Sequence, residues 1–191
     1  TYTNHTEEEI TNSVDFFIFF CYTELKNCWE WCNIKDCTAC FTGHREIPFL
    51  KLPGIKKRLE KEVENSIKNG YLFFGAGGAL GFDTLAAQTV LKLRERYPDI
   101  KLILVLPCKT QARGWKQADI DEYERIKAAA DKVVYTSEDY YRGCMHKRNR
   151  HLVDNSSLCI CYLTSSTGGT AYTVDYAYQK NLRIINVSTP R

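Results

Sequence analysis

Two glycine-rich turns, each set between a short apolar run and an amphipathic segment, fix most of what this chain can fold into. The first, Gly75-Ala-Gly77-Gly78-Ala-Leu-Gly81-Phe-Asp83, follows Tyr71-Leu-Phe-Phe74. The second, Ser165-Ser-Thr167-Gly168-Gly169-Thr170, follows Leu158-Cys-Ile-Cys-Tyr-Leu163. Such runs have the length of buried strands, and the segments after them repeat apolar residues with a helical period. Glycine at a strand-to-helix turn lets the backbone come close to a ligand, and the helix start offers free N–H groups and a partial positive charge. Two such turns on one sheet predict a phosphate-bearing ligand held across the strand ends.

The rest of the chain supplies that sheet. Thr38-Ala-Cys-Phe41 is a first short strand ending at Thr42-Gly-His-Arg45. Pro53 and Gly54 open a helix with Ile55, Leu59, Val63 and Ile67 on one face, and Gly70 closes it. Asp83 is placed to cap the next helix, whose inward residues are Leu85, Ala86, Val90 and Leu93. Leu102-Ile-Leu-Val-Leu106 is continuously apolar, as a parallel strand covered on both faces is, and Pro107 ends it. A helix around Ile120, Tyr123, Ile126 and Ala130, a strand at 132–135, a basic helix over 145–154, a strand at 158–163, a helix over 169–180 and a strand at 183–187 follow. Strands alternating with helices predict an α/β fold with a doubly wound, mainly parallel sheet and helices on both faces. Ligands of such sheets bind outside the carboxyl ends of the strands, where both glycine turns and Thr42–Arg45 fall. Residues 1–36, rich in aromatics and Cys with no sustained period, read as an appendage of uncertain structure, and 37–191 as the domain.

Composition narrows the function classes. A net charge of +3 from 26 basic and 23 acidic residues gives no global case for nucleic acid, which leaves only a local patch to argue it. Nine cysteines are an odd number, and Cys108, Cys144, Cys159 and Cys161 sit in or beside apolar segments, where cysteine acts as a small hydrophobe; a reduced, cytoplasmic setting is expected. Cys28, Cys32, Cys37 and Cys40 crowd into one stretch instead of two knuckles across a longer loop, so no metal is expected. The longest apolar run, Phe16–Tyr22, falls short of a membrane span of roughly 20 residues, and no membrane association is expected.

Particular residues carry the binding expectation. Gly77, Gly78 and Gly81 with Asp83 line the first turn, and Gly168, Gly169 and Thr170 open the later helix with N–H groups and a hydroxyl suited to phosphate. Thr42, Gly43 and Arg45 end the first strand, where Arg45 can grip an anion bidentately. His44 has no identifiable acid–base partner. In His146-Lys-Arg-Asn-Arg-His151, positions 147 and 150 or 151 share a helical face while 148 points elsewhere. Arg148 or Asn149 is expected at the ligand, the others at solvent or a nucleic-acid backbone. No Ser-His-Asp order or paired-carboxylate motif is present, so no catalytic residue is assigned. No acidic ribose ligand stands beyond the first turn, against a dinucleotide cofactor. Self-association through a helix face is also expected.

Five motifs in order, Cys40-Phe-Thr-Gly-His-Arg45, Ala76-Gly-Gly-Ala-Leu-Gly-Phe-Asp83, Leu106-Pro-Cys108, Gly143-Cys-Met-x-Lys-Arg-Asn-Arg150 and Gly168-Gly-Thr-Ala-x-Thr-Val174, resemble the YpsA-like branch of the SLOG superfamily from about Cys37 to Val187. The resemblance implies a Rossmann-like domain that binds nucleotides, ADP-ribose or NAD-derived molecules, in stress or phage-related signalling. It also implies that the glycines, Asp83, Thr170, Thr42, Arg45, Arg148 and Asn149 line the pocket. Two related families bound the alternatives. The Lonely Guy phosphoribohydrolases split an N-glycosidic bond with a Glu three residues after the turn Thr, where this chain has Thr173. The DNA-processing proteins A bind single-stranded DNA and share the Gly-Gly-Ala-x-Gly-x-Asp turn and an Arg-Asn-Arg run.

Overall fold

The computed structural model of the chain describes residues 33–189, so most of the expected 1–36 appendage lies outside the described residues. The chain divides into Thr1–Ile34 and Lys35–Arg191, and only the second unit is described below. Its elements are β1 (Thr38–Gly43), α1 (Leu52–Lys68), β2 (Phe73–Ala76), α2 (Phe82–Arg94), β3 (Lys101–Leu106), α3 (Gln117–Ala129), β4 (Lys132–Tyr135), α4 (Cys144–Asp154), β5 (Leu158–Tyr162), α5 (Gly169–Gln179) and β6 (Arg183–Asn186). Six strands pair in the order β4-β3-β2-β1-β5-β6, and every pairing is parallel.

Handedness turns this order into layers. The steps from β1 to β4 run one way across the sheet, and right-handed crossovers then put α1, α2 and α3 on one face. The chain doubles back after β4 to place β5 against the other side of β1, which puts α4 and α5 on the opposite face. The packing agrees: α1 lies on α2, α2 on α3, and α4 on α5. The direction reverses between β1 and β5, with Thr42 beside Cys161 and Gly43 beside Tyr162. The crevice for a ligand opens at such a reversal.

The core is the two covered faces of the sheet. Leu102, Leu104 and Leu106 of β3 and Leu158 and Ile160 of β5 are fully enclosed, as continuous apolar strands must be when both faces are covered. The α1 stripe departs from expectation in one place. Ile55, Leu59 and Val63 are buried, but the next inward residue is Ser66, and Ile67 is only partly buried. Each step of four overshoots the helical turn by about 40°, so after three steps Ile67 has rotated far from Ile55 while Ser66 has come back into line. Ser66 is tolerated there because its hydroxyl donates to Glu62 O at 2.7 Å.

Cys40, Cys108, Cys144, Cys159 and Cys161 are buried free thiols. Burial pushes Cys161 up to about 12, so it stays a protonated, unreactive core residue. Cys37 corrects the expectation of reduced cysteines, since it is disulfide-bonded. Cys28 and Cys32 lie outside the described residues, among which no group of three or more His, Cys, Asp or Glu could hold a metal ion. Among the same residues no helix is long and apolar enough to cross a membrane.

Candidate functional site

The carboxyl edge of the sheet collects the residues expected to line the ligand site, in three groups. The first joins β1 to the turn before α2. Thr42 is buried, and Gly43 lies so close to α2 that an added Cβ would sit 2.4 Å from Phe82 Cβ. Phe82 N–H donates to His44 O at 3.1 Å. Gly81, at φ 78°, passes under the Arg45 carbonyl, where a Cβ would come within 2.1 Å of the oxygen. Gly81 therefore serves a backbone-to-backbone approach, while the Arg45 side chain reaches solvent. His44 spans the crevice: its Nε2 accepts from Thr164 N–H at 3.0 Å, and its ring meets Tyr162 edge-on at 5.7 Å. That places it as a tie between the β1 and β5 loops.

The second group is a buried ion pair across the two helical layers. Asp83 does not cap α2; Gly81 holds the cap position without a side-chain bond, and Asp83 lies inside the first turn. Its carboxylate turns back to accept from Ala79 N–H and pairs with Arg148 Nη1, both at 3.4 Å. Asp83 comes from one helical layer and Arg148 from the other, and they meet over Gly77. A Cβ on Gly77 would lie 1.3 Å from Arg148 Nη1 and 2.7 Å from Asp83 Oδ2, so only glycine lets the guanidinium through. Arg148 and Asp83 side chains are 6% and 9% exposed, and Arg148 Nε has no hydrogen-bond partner. Burial pushes the Asp83 carboxyl up, opposed by the Arg148 charge, then the Ala79 N–H and Arg45. Burial likewise lowers Arg148, opposed by Asp83 and reinforced by Arg45. A buried pair with one long contact adds little net stability, but removing either partner strands a buried charge.

Gln111, on the loop between β3 and α3, covers the other side of the same turn. Its Nε2 donates to Gly78 O at 2.8 Å and Gly77 O at 3.3 Å, while its Oε1 is buried without a partner. Gly78, at φ 64°, fits against Leu106 and Tyr123. Sequence reading missed Gln111 and Tyr123 as parts of this edge. Gln111 stands in a polar stretch with no periodicity, so nothing local marks it.

The third group is the start of α5. Gly168, at φ 92°, and Gly169 are exposed, and nothing lies within 4 Å of where their Cβ atoms would be. Thr170 is turned inward and buried. Asn149 Nδ2 donates to Thr173 Oγ1 at 2.7 Å, and that hydroxyl donates to Gly169 O at 2.8 Å, so α4 fixes the first turn of α5. Within α4, Arg148 and Asn149 do face the edge while Lys147 and Arg150 are exposed. Arg150 Nη1 donates to Tyr172 OH at 3.1 Å, and Tyr172 stands edge-on to His146 at 4.5 Å and parallel to Tyr176 at 6.5 Å. Together these make an exposed basic and aromatic strip.

Residues 40–187 match the profile of YpsA, described as the YspA SLOG family. A UPF0398 protein of Halalkalibacterium halodurans is 31% identical over 141 residues, 72% of each chain. The SPbeta prophage-derived protein YoqJ of Bacillus subtilis is 31% identical over 137 residues, 64% of this chain and 80% of that one. Among solved structures, DNA processing protein A of Streptococcus pneumoniae superposes with a TM-score of 0.57 at 17% identity, covering 79% of this chain but only 50% of that one. The Helicobacter pylori DNA processing protein A, whose structure concerns its single-stranded DNA binding mode, gives a TM-score of 0.54 at 21% identity over 77% of this chain and 64% of that one. Both likenesses concern the fold.

Proposed function

The chain belongs to the YpsA SLOG family, and from that premise we propose that it binds a phosphate-bearing, nucleotide-like molecule of the ADP-ribose or NAD-derived class and reports its presence. The observation that carries the reading is Arg148. A guanidinium with five donors is nearly enclosed at the carboxyl edge, yet it has one long contact to Asp83 and an Nε with no partner. A phosphate oxygen is the acceptor such a group lacks. The exposed N–H groups at Gly168 and Gly169 support a second phosphate position across the strand reversal. Binding is favoured over turnover because the α5 position that would need a carboxylate is Thr173, engaged with Asn149, and Asp175 is tied to Gln179 at the surface. A prophage-derived relative supports a phage-related setting, while the family resemblance alone carries the stress-signalling and cytosolic parts of the proposal.

The test is calorimetric titration of ADP-ribose, NAD, AMP and ADP into the wild type and Arg148→Lys, which keeps the charge but loses the planar fork. Binding to the wild type that weakens at least about tenfold in the variant is expected, as one charge-assisted hydrogen bond carries. Absence of binding by the whole panel overturns the reading. A second reading, single-stranded nucleic acid, is favoured by the His146, Arg150, Tyr172 and Tyr176 strip, since aromatic rings and cations are what a single strand stacks and pairs on. Binding of an oligonucleotide alone, weakening steeply with salt, selects it.

A further inference from the structure

We infer that Gln111 is the residue that reads a hydrogen-bond donor on the ligand, and that the molecule taken at this edge is a phosphorylated sugar and not a bare anion. The inference rests on the phosphate reading of the same edge and deepens it. Among the described residues only three buried side-chain atoms lack partners: Gln111 Oε1, Ser137 Oγ and Arg148 Nε. Two of the three flank the Gly77–Gly78 turn, Arg148 touching the space beside Gly77 and Gln111 bonded to the carbonyls of both glycines.

The orientation of the Gln111 amide is settled by those carbonyls. Turned over, it would set its oxygen against two acceptors, so the nitrogen faces the turn and the oxygen faces away. That oxygen sits on a residue 7% exposed and receives no donor. A buried acceptor left unpaired is costly, and natural interiors rarely keep one without a use. An orphan donor at Arg148 calls for an acceptor such as a phosphate oxygen; an orphan acceptor at Gln111 calls for a hydroxyl or N–H. A molecule that answers both carries a phosphate and hydroxyl groups a few bonds apart, as a pentose phosphate does. An inorganic anion answers only the first. Because the oxygen is shut away from solvent, ligand entry requires a local rearrangement of the Gln111 side chain.

The experiment compares ribose 5-phosphate with n-pentyl phosphate, which has the same carbon count and no hydroxyls, by calorimetry on the wild type and on Gln111→Met. In the wild type the sugar phosphate is expected to bind at least about tenfold more tightly, the share of one hydrogen bond to an otherwise unpaired buried group. In Gln111→Met, which also removes the bonds to the Gly77 and Gly78 carbonyls, that preference collapses to less than about twofold, whatever the change in pentyl phosphate affinity itself. A wild-type measurement stands beside the variant: the Gln111 side-chain amide resonances shift on adding ribose 5-phosphate and not on adding pentyl phosphate. Equal wild-type affinity for the two phosphates, or a preference that survives in Gln111→Met, overturns the inference and leaves the phosphate reading standing. Failure of both to bind a protein that binds ADP-ribose overturns the inference alone, and failure of ADP-ribose as well overturns the two together.

Discussion

Replacing Gly77 by alanine tests the central contact of the edge. Its φ is ordinary, so the change introduces no backbone strain, and the effect comes from one methyl group. That methyl would lie 1.3 Å from Arg148 Nη1 and 2.3 Å from Cζ, far inside any tolerable contact. The guanidinium has to leave, and buried Asp83 keeps the 3.4 Å bond from Ala79 N–H, the Gly77 N–H and the more distant Arg45 charge but no ion-pair partner. Stranding one member of a buried pair costs about 3–5 kcal/mol, within the range of measured overpacking and charge-burial effects. Against a total of about 5–15 kcal/mol for a domain, a loss of that size is readily measured by urea unfolding as a fall in midpoint with unchanged slope. The same substitution in an Arg148→Ala background meets no guanidinium, only the Asp83 carboxylate at 2.7 Å, which can turn into the space the guanidinium has left; it is expected to cost less than about 1 kcal/mol, a coupling of about 2–4 kcal/mol in the double-mutant cycle. A Gly77→Ala protein within about 0.5 kcal/mol of wild type, or a cycle that is additive, would refute the account of why this position is glycine.

The two glycines of α5 are expected to differ. Gly169→Ala has open space and an ordinary φ, so its stability stays within about 0.5 kcal/mol of wild type, whereas Gly168→Ala at φ 92° costs about 1–3 kcal/mol of backbone strain, both read from thermal or urea unfolding. Thr173→Val leaves Asn149 Nδ2 without its acceptor, so a loss of about 1–2 kcal/mol is expected and Thr173→Ser should recover most of it. His151 has its pKa lowered from 6.5, chiefly by burial, with Lys147 and Lys132 adding to the shift and Asp154 opposing it. A base depressed in the folded state is protonated first in the unfolded chain, so its burden on stability is absent well above pH 6.5 and grows as pH falls through that value. Urea midpoints of His151→Gln and wild type measured on either side of pH 6.5 should show a smaller acid loss in the variant; parallel losses would exclude His151 as the cause.

The sequence alone determined the strands, the helices and the collection of glycines at one edge of a parallel sheet. Those follow from local rules: apolar runs of strand length, a helical period, and turns that need glycine at strand ends. It also separated the α4 residues correctly, because helical geometry turns Arg148 away from Lys147 and Arg150. Tertiary structure decided what the residues at the edge do for one another. Gly77 reads in sequence as room for a ligand, yet it is the gap through which Arg148 reaches Asp83, 65 positions away. Gly81 likewise gives way to the Arg45 carbonyl, and His44 ties two loops together. Gln111 gave no local sign at all. Each of these depends on the order β4-β3-β2-β1-β5-β6, which brings α4 over β2 and the β5 loop beside β1. Spacing along the chain carries periods of two to four residues; which side chain meets which across the sheet is fixed only when the crossovers have placed the layers.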